Sequence, residues 1–318
     1  MAAEDILILS DRDVMALAPM KSAVQVMKQT IISRSHGDLV SPPREMFSMD
    51  STGLVWTPGG HRQLKAMGLR LYPTGVPKGD QAVLLWDSVK GSLKAISIGS
   101  YLGLLRTGAI GGVAIDAMSR KDSRVVGVVG FGEQAWMQVQ ACIAVRSIDR
   151  VQVYRRSRSL LARMAREASR EFGVEVTPVD DARTAVANAD IVITATDSST
   201  PVVYGPWIDP GTHVNALGPK YTGRSEIEDG LYSKASLIAS DFPEQYLRDS
   251  SFAFRSHPAT GGMRDLASII EDQVPRKDDE ITLFLSHGLS GSEVCLLDFV
   301  HGRAVSTGYR AAARVHTD

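Results

Sequence analysis

The sequence predicts an α/β protein in two parts, a doubly wound parallel sheet over about residues 121–297 and a mixed, largely antiparallel α+β part over 1–120 that residues 298–318 complete. Three observations carry this reading. From Arg124 onward, short apolar runs alternate with helical stretches, the rhythm of βαβ units with right-handed crossovers. Before that point, strand-like runs follow one another through short turns, which suits antiparallel pairing. Near the start of the second part, Gly130-Phe131-Gly132-Glu133-Gln134-Ala135 joins a strand run to a helical one.

In the first part, a strand is expected at 6–9 and an amphipathic helix at 14–35. Strands are then expected near 54–57, 67–72 and 82–87. Pro42-Pro43, Pro58-Gly59-Gly60 and Thr74-Gly75-Val76-Pro77 read as the turns between them, because Pro and Gly punctuate regular structure. In the second part, strands are expected at 125–129, 151–154, 174–178, 191–194, 212–216 and 237–240, with helices at 134–145, 159–172 and 181–187. Near the C-terminus, 280–286 reads as a strand and 292–313 as a helix packing back on the first part.

Composition narrows the class. An apolar content of 44% with a net charge of −1 fits a soluble globular chain of 318 residues and gives no long-range attraction to nucleic acid or an anionic membrane. Residues 1–10 lack the basic flank and apolar core of a signal peptide, and no run approaches a bilayer span of about 20 apolar residues. Cys142 and Cys295 are the only cysteines, too few for a disulfide framework, so a reducing cytoplasm is expected. His61, His213, His257 and His287 show no close metal-ligand spacing, and no metal is expected.

The glycine-rich segment carries the chemistry. Val125 to Val129 suits a strand buried on both faces. Gly130 and Gly132 then turn the chain and let backbone approach a pyrophosphate, and Ala135 takes the third small position of G-x-G-x-x-G/A. The helix that follows would aim its free amides at the phosphates. A second strand run at the spacing of a βαβ unit makes this a Rossmann-type dinucleotide site.

An acid at the end of that second strand would accept from a ribose 2′-OH. Tyr154 stands there instead, followed by Arg155, Arg156, Ser157 and Arg158. That cluster suits a 2′-phosphate, so NADP(H) is expected to be preferred, with NAD(H) possible; an ordinary solvated loop is the alternative reading of the arginines.

Ligands of open α/β sheets bind beyond the carboxyl ends of the strands. Thr196 follows the fourth run and is a candidate for the cofactor or for capping a turn. Lys220 follows the fifth, where a desolvated lysine can bind a carboxylate or pass a proton; a surface lysine is the plainer reading. Arg106 lies in the small-residue, apolar stretch Leu104-Leu105-Arg106-Thr107-Gly108-Ala109-Ile110. A charge there wants a partner, either a substrate carboxylate or a structural Asp or Glu. Arg44 and Arg70 are weaker candidates of the same kind.

Together, Arg106-Thr107-Gly108-Ala109, the phosphate loop, Thr194-Ala195-Thr196, the strand and turn from Gly211 to Gly218, and Glu280-Ile281-Thr282-Leu283-Phe284 resemble the ornithine cyclodeaminase and mu-crystallin family over nearly the whole chain. The resemblance implies a homodimer whose N-terminal part, joined by the C-terminal helix, supplies the interface and much of the substrate site. It places Arg44 and Arg106 on a substrate carboxylate. The residues expected at the cofactor are Thr107, Gly130, Gly132, Glu133, Gln134, Ala135, Tyr154, Arg155, Arg156, Ser157, Thr196 and Leu217.

Three positions depart from the family pattern. A lysine usually stands six residues before the proline that Pro73 represents, and Met67 is there instead, with Lys65 or Arg70 as substitutes from another pleat or register. Val55-Trp56-Thr57-Pro58 offers no acid where cyclodeaminases carry a glutamate, and Lys220 replaces their catalytic aspartate. The expectation is an NADP(H)-dependent reductase or dehydrogenase of an imino, amino or keto acid, with Lys220 as proton donor. The alternatives are ornithine or lysine cyclodeamination and non-catalytic NADPH binding like mu-crystallin.

Overall fold

The computed structural model describes residues 5–76, 79–248, 251–252, 257–311 and 313–315. The chain divides into two compact units, residues 1–106 with 289–318 and residues 107–288.

The first unit begins with β1 (Ile6–Ser10), α1 (Asp11–Leu17) and α2 (Met20–Ser35). Then come β2 (Leu39–Val40), β3 (Glu45–Met49), β4 (Thr52–His61), β5 (Ala66–Thr74), β6 (Ala82–Asp87), β7 (Leu93–Ile98) and the start of α3 (Tyr101–Met118). Where one helix was expected over 14–35 there are two. A capping box between Ser10 and Asp13 starts α1 early. Ala18-Pro19 then breaks the run: the residue before a proline is driven out of the helical region, and Ala18 has ψ 79°.

Pro58-Gly59-Gly60, expected as a turn, lies inside β4, paired with Leu69, Gly68 and Met67 of β5. Two tertiary circumstances override the turn chemistry. On its other edge β4 pairs with β3 only up to Trp56 and with β2 only from Gly60, so an edge proline without an N–H is tolerated between them. The glycines admit a close neighbour, since a Cβ on Gly59 would lie 2.3 Å from Gly291 Cα. The turn expected at 74–77 holds to Val76, with Gly75 at φ 76°; Pro77 lies outside the described residues.

The sheet pairs in the order β1-β7-β6-β5-β4-β2, with β1 parallel to β7 and the others antiparallel. Alternation along β5 sends Gly68 and Arg70 to one face and Met67 and Leu69 to the other.

The second unit follows the βαβ rhythm through β8 (Val125–Val129), α4 (Glu133–Val145), β9 (Arg150–Tyr154), α5 (Leu161–Phe172), β10 (Glu175–Pro178), α6 (Ala182–Val186), β11 (Ile191–Thr194) and β12 (His213–Ala216). A small hairpin, β13 (Lys220–Tyr221) and β14 (Arg224–Ser225), precedes α7 (Asp229–Lys234), β15 (Leu237–Ser240), α8 (Pro243–Arg248), β16 (Met263–Asp265), α9 (Leu266–Glu271) and β17 (Thr282–Leu285). The main sheet runs β10-β9-β8-β11-β12-β17-β15-β16, and every pair is parallel. Strand order reverses between β8 and β11, the switch point where such sheets bind ligands. Ile191 and Ile193 join the core on one face and Val192 the core on the other, so the strands read as continuous apolar runs.

Two buried polar ties stiffen this unit. Arg146 donates to Asp116 and to the carbonyls of Ile115, Asp116, Ser119 and Arg120, closing the last turn of α3. Asn215 donates to Gly111 O and Gln138 Oε1 and turns its own oxygen to His213 Nε2. That nitrogen therefore carries the ring proton, and Nδ1 lies 2.8 Å from Thr282 Oγ1. Burial lowers His213 to about 3 and keeps the ring neutral.

The chain returns to the first unit as α10 (Ser292–Ser306) and β18 (Ala313–Val315). The helix expected over 292–313 stops at Ser306, where Thr307 caps it and Gly308 takes φ 62°. β18 pairs antiparallel with β1. Among the described residues, no helix is long and apolar enough to cross a membrane.

Candidate functional site

In the second unit the phosphate loop ends β8. Gly130 has φ 87°, and a Cβ there would meet Ala195 O at 2.4 Å, so only glycine fits. Its amide donates to Tyr154 O, tying the loop to the end of β9. Gly132 is the N-cap of the 13-residue α4, with no side-chain hydrogen bond to the helix and nothing within 4 Å of where its Cβ would be. The first-turn amides, from Glu133, Gln134 and Ala135, thus receive no cap from Gly132, and the backbone beside them has the open room that a pyrophosphate requires. Ala135 is fully buried where α4 meets the sheet. Gln134 adds a buried Oε1 with no hydrogen-bond partner among the described residues. This cradle fits a dinucleotide.

The loop after β9 is differentiated. Arg155 folds back onto Met164, with Nη1 3.0 Å from Sδ. Arg158 is paired with Asp180 at 3.1 Å. Arg156 and Ser157 are exposed, and Arg156 has no partner among the described residues.

The turns after β11 and β12 are organised by a residue that the sequence reading does not single out. Glu226 is fully buried, and its two oxygens accept from Thr194 Oγ1 at 2.7 Å, Gly218 N at 2.5 Å, Thr196 N at 3.0 Å and Thr196 Oγ1 at 2.8 Å. The Thr196 hydroxyl, expected on the cofactor or as a turn cap, thus donates to Glu226. Leu217 continues the same turn through its amide to Thr194 O. Thr107, on α3, offers its carbonyl to Gln138 Nε2.

Lys220 is 3% exposed. Its ammonium donates to Gly218 O at 2.6 Å and Ala216 O at 3.2 Å, and its third proton has no partner among the described residues. Burial lowers its pKa to about 8, with the charges of Glu226 and Asp241 opposing the shift. Asp241 is itself held by the amides of His287 and Gly288.

In the first unit the arginines gather on one acid. Arg106 Nε lies 2.8 Å and Arg70 Nη1 3.1 Å from Glu293 Oε1. The sequence left Arg106 between a substrate carboxylate and a structural acid; Glu293 is a structural acid that takes only Nε, and neither terminal amino group has a partner among the described residues. Arg44 is exposed just before β3. Lys65 is an exposed turn residue with φ 53°. Met67 lines a groove of about 480 Å³ with Pro58, Gly60, Leu69 and Trp86, on the face of β5 opposite Arg70. Glu293 was missed, although an acid in Val294-Cys295-Leu296-Leu297 surroundings carries the same signal that singled out Arg106.

The sequence profile described as the ornithine cyclodeaminase/mu-crystallin family matches residues 4–308. The chain belongs to this family. It is 28% identical to the alanine dehydrogenase of Archaeoglobus fulgidus over 94% of this chain and 95% of that one. Among solved structures it is similar to the Delta(1)-pyrroline-2-carboxylate reductase of Thermococcus litoralis in complex with NADH and L-proline, at TM-score 0.87, 27% identity, 98% of this chain and 100% of that one. It is also similar to an archaeal alanine dehydrogenase dimer with bound NAD, at TM-score 0.85 and 25% identity, covering 99% of this chain and 100% of that one. Val55, where the sequence offers no acid, is buried in β4.

Glu226→Gln leaves one donor facing the amide NH2 instead of a carboxylate oxygen. It is expected to cost about 3 kcal/mol, read as a lower urea midpoint at unchanged slope. A loss below about 1 kcal/mol, within reach of an ordinary surface change, would show that the turns hold without the carboxylate.

Proposed function

We propose that this protein is an NAD(P)-dependent oxidoreductase that moves hydride to or from the carbon beside the carboxylate of an imino, amino or keto acid. The phosphate cradle at the sheet's switch point carries the reading, and the reductase and dehydrogenase names of its relatives support it. The bound nicotinamide supplies or accepts the hydride. Gly130, Gly132 and the first-turn amides of α4 hold the pyrophosphate. Arg106 anchors the substrate carboxylate, with Arg44 a second cation for it. Lys220 gives its proton to the substrate nitrogen or oxygen as hydride reaches carbon, and takes it back in the reverse direction. Cyclodeamination is disfavoured, because Val55 and Lys220 stand where that chemistry needs carboxylates.

For the cofactor, NADP(H) is the preferred reading, with NAD(H) accepted. Tyr154 brings no acid to repel a 2′-phosphate, and Arg156 and Ser157 are exposed beside it. The two solved relatives hold NADH and NAD, so the preference rests on this loop alone. The assembly is a homodimer. Phe47, Met49, Met67 and Ile98 are exposed on one face of the first unit's sheet, an apolar patch of the kind that a second copy covers, and the archaeal relative is a dimer.

Steady-state turnover of a panel of 2-imino and 2-oxo acids should oxidise NADPH faster than NADH, and Arg156→Ala should raise KM for NADPH about tenfold without changing KM for NADH. No oxidation of either cofactor would end the reading. The pH profile tests Lys220: kcat/KM for reduction falls above about pH 8 as the ammonium is lost, while oxidation, which needs the free amine, rises through the same range. In Lys220→Met both limbs vanish and the rate drops about 100-fold or more; a profile unchanged by the substitution removes Lys220 from the chemistry. Sedimentation should give twice the chain mass of 34.4 kDa, and Phe47→Asp should shift the protein toward monomer. A monomeric wild type at micromolar concentration contradicts the assembly.

A further inference from the structure

Arg70, Arg106 and Glu293 form a cluster whose charges do not cancel. Glu293, 3% exposed, receives both arginines on Oε1, and its Oε2 accepts from Ser292 Oγ at 3.1 Å. Burial opposes its charge, but Arg106 and then Arg70 hold the carboxyl below the usual range, so it is ionised at neutral pH. Two guanidiniums on one carboxylate leave one net positive charge. The arginine side chains are only 15% and 14% exposed, so water compensates that charge poorly and an anion is favoured.

The two arginines differ in what they have left to offer. Arg70 gives Nη1 to Glu293 and Nη2 to Gln81 Oε1 at 2.6 Å. Its guanidinium also lies 4.4 Å over the Tyr72 ring, with Gly103 of α3 making room beside it. Both of its terminal nitrogens are occupied. Arg106 is bonded only through Nε, and neither terminal amino group has a partner among the described residues. A guanidinium fixed at Nε presents its Nη1–Nη2 edge as a rigid fork, the geometry that grips a carboxylate through two parallel hydrogen bonds.

We propose that Glu293 is a positioning residue for substrate: it holds Arg106 by Nε so that the Nη1–Nη2 fork stands ready for the substrate carboxylate, and Arg70 braces Glu293 from the other side. The inference rests on the proposed function and adds the residue that prepares its anchor. Glu293 touches no substrate in this arrangement, and its effect passes entirely through Arg106.

Charge and position predict opposite signs. If Glu293 acted only as a negative charge, removing it would strengthen the binding of an anion. If it positions Arg106, removing it weakens binding. Calorimetric titration of L-proline in the presence of NADH, with L-prolinamide as the ligand lacking the anion, separates them. Glu293→Ala should weaken L-proline about tenfold, and Glu293→Gln, which keeps an acceptor for Nε, about threefold. Neither should alter L-prolinamide, and the double variant with Arg106→Ala should bind L-proline no worse than Arg106→Ala alone. Variants at Glu293 that bind L-proline as tightly as the wild type or more tightly, or losses that add to that of Arg106→Ala, overturn the proposal. The Gln variant carries the test if the Ala variant does not fold. A wild type that ignores L-proline, or an Arg106→Ala variant that binds it fully, removes the carboxylate reading itself and this inference with it.

Discussion

The ordered edge of the second unit depends on one buried carboxylate. Parallel strands deliver their chemistry through the turns that follow them, and such turns carry backbone groups that no ladder satisfies. Glu226 collects four of the donors there, two from backbone and two from threonines, across the turns after β11 and β12. Those turns lead into Lys220, whose ammonium is fastened to the carbonyls of Ala216 and Gly218. The lysine is thus held by backbone that Glu226 has already fixed, and its depressed pKa follows from the burial that this fixing makes possible.

The first unit uses an acid differently. Glu226 is satisfied by neutral donors and leaves a negative charge that opposes the deprotonation of Lys220. Glu293 is satisfied by two cations and leaves the surroundings positive. Both acids are almost wholly buried, and each costs several kcal/mol to desolvate, which their partners must offset. The sign left over differs: one arrangement sets negative charge beside a buried lysine, the other leaves an excess of positive charge around a buried acid.

How much of this was legible in the sequence follows the physics of each element. Strands buried on both faces are continuous apolar runs, and 125–129, 191–194 and 237–240 emerge with the bounds that composition suggests. The glycines of the phosphate loop were equally plain, since their spacing encodes a backbone shape. Pro58-Gly59-Gly60 misled because its local chemistry is that of a turn, while its neighbours, a gap on one edge of β4 and Gly291 close by, are set by distant parts of the chain. The second helix start after Pro19 was a local signal overlooked in favour of periodicity. Arg106 was singled out correctly as a charge needing a partner, but that partner lies 187 residues away, and no motif spans such a distance. In the loop after β9 the charges were visible, but their directions depend on Met164 and Asp180, so the sequence could not separate Arg156 from its neighbours.

The meeting of Gly59 with Gly291 has a consequence for how this chain can vary. A side chain on Gly59 would occupy the space of the Gly291 backbone, and Gly291 is itself held at φ 84°, directly before the helix that carries Glu293. Neither glycine can drift by itself. A methyl group at 59 would push the first turn of α10, and a residue at 291 unable to take that backbone angle would re-aim it; either change would reach the guanidinium of Arg106 without altering a polar atom. Two residues that bear no functional group are thus tied to each other as a pair, and the freedom of each to mutate is set by the tolerance of an acid two positions past the second.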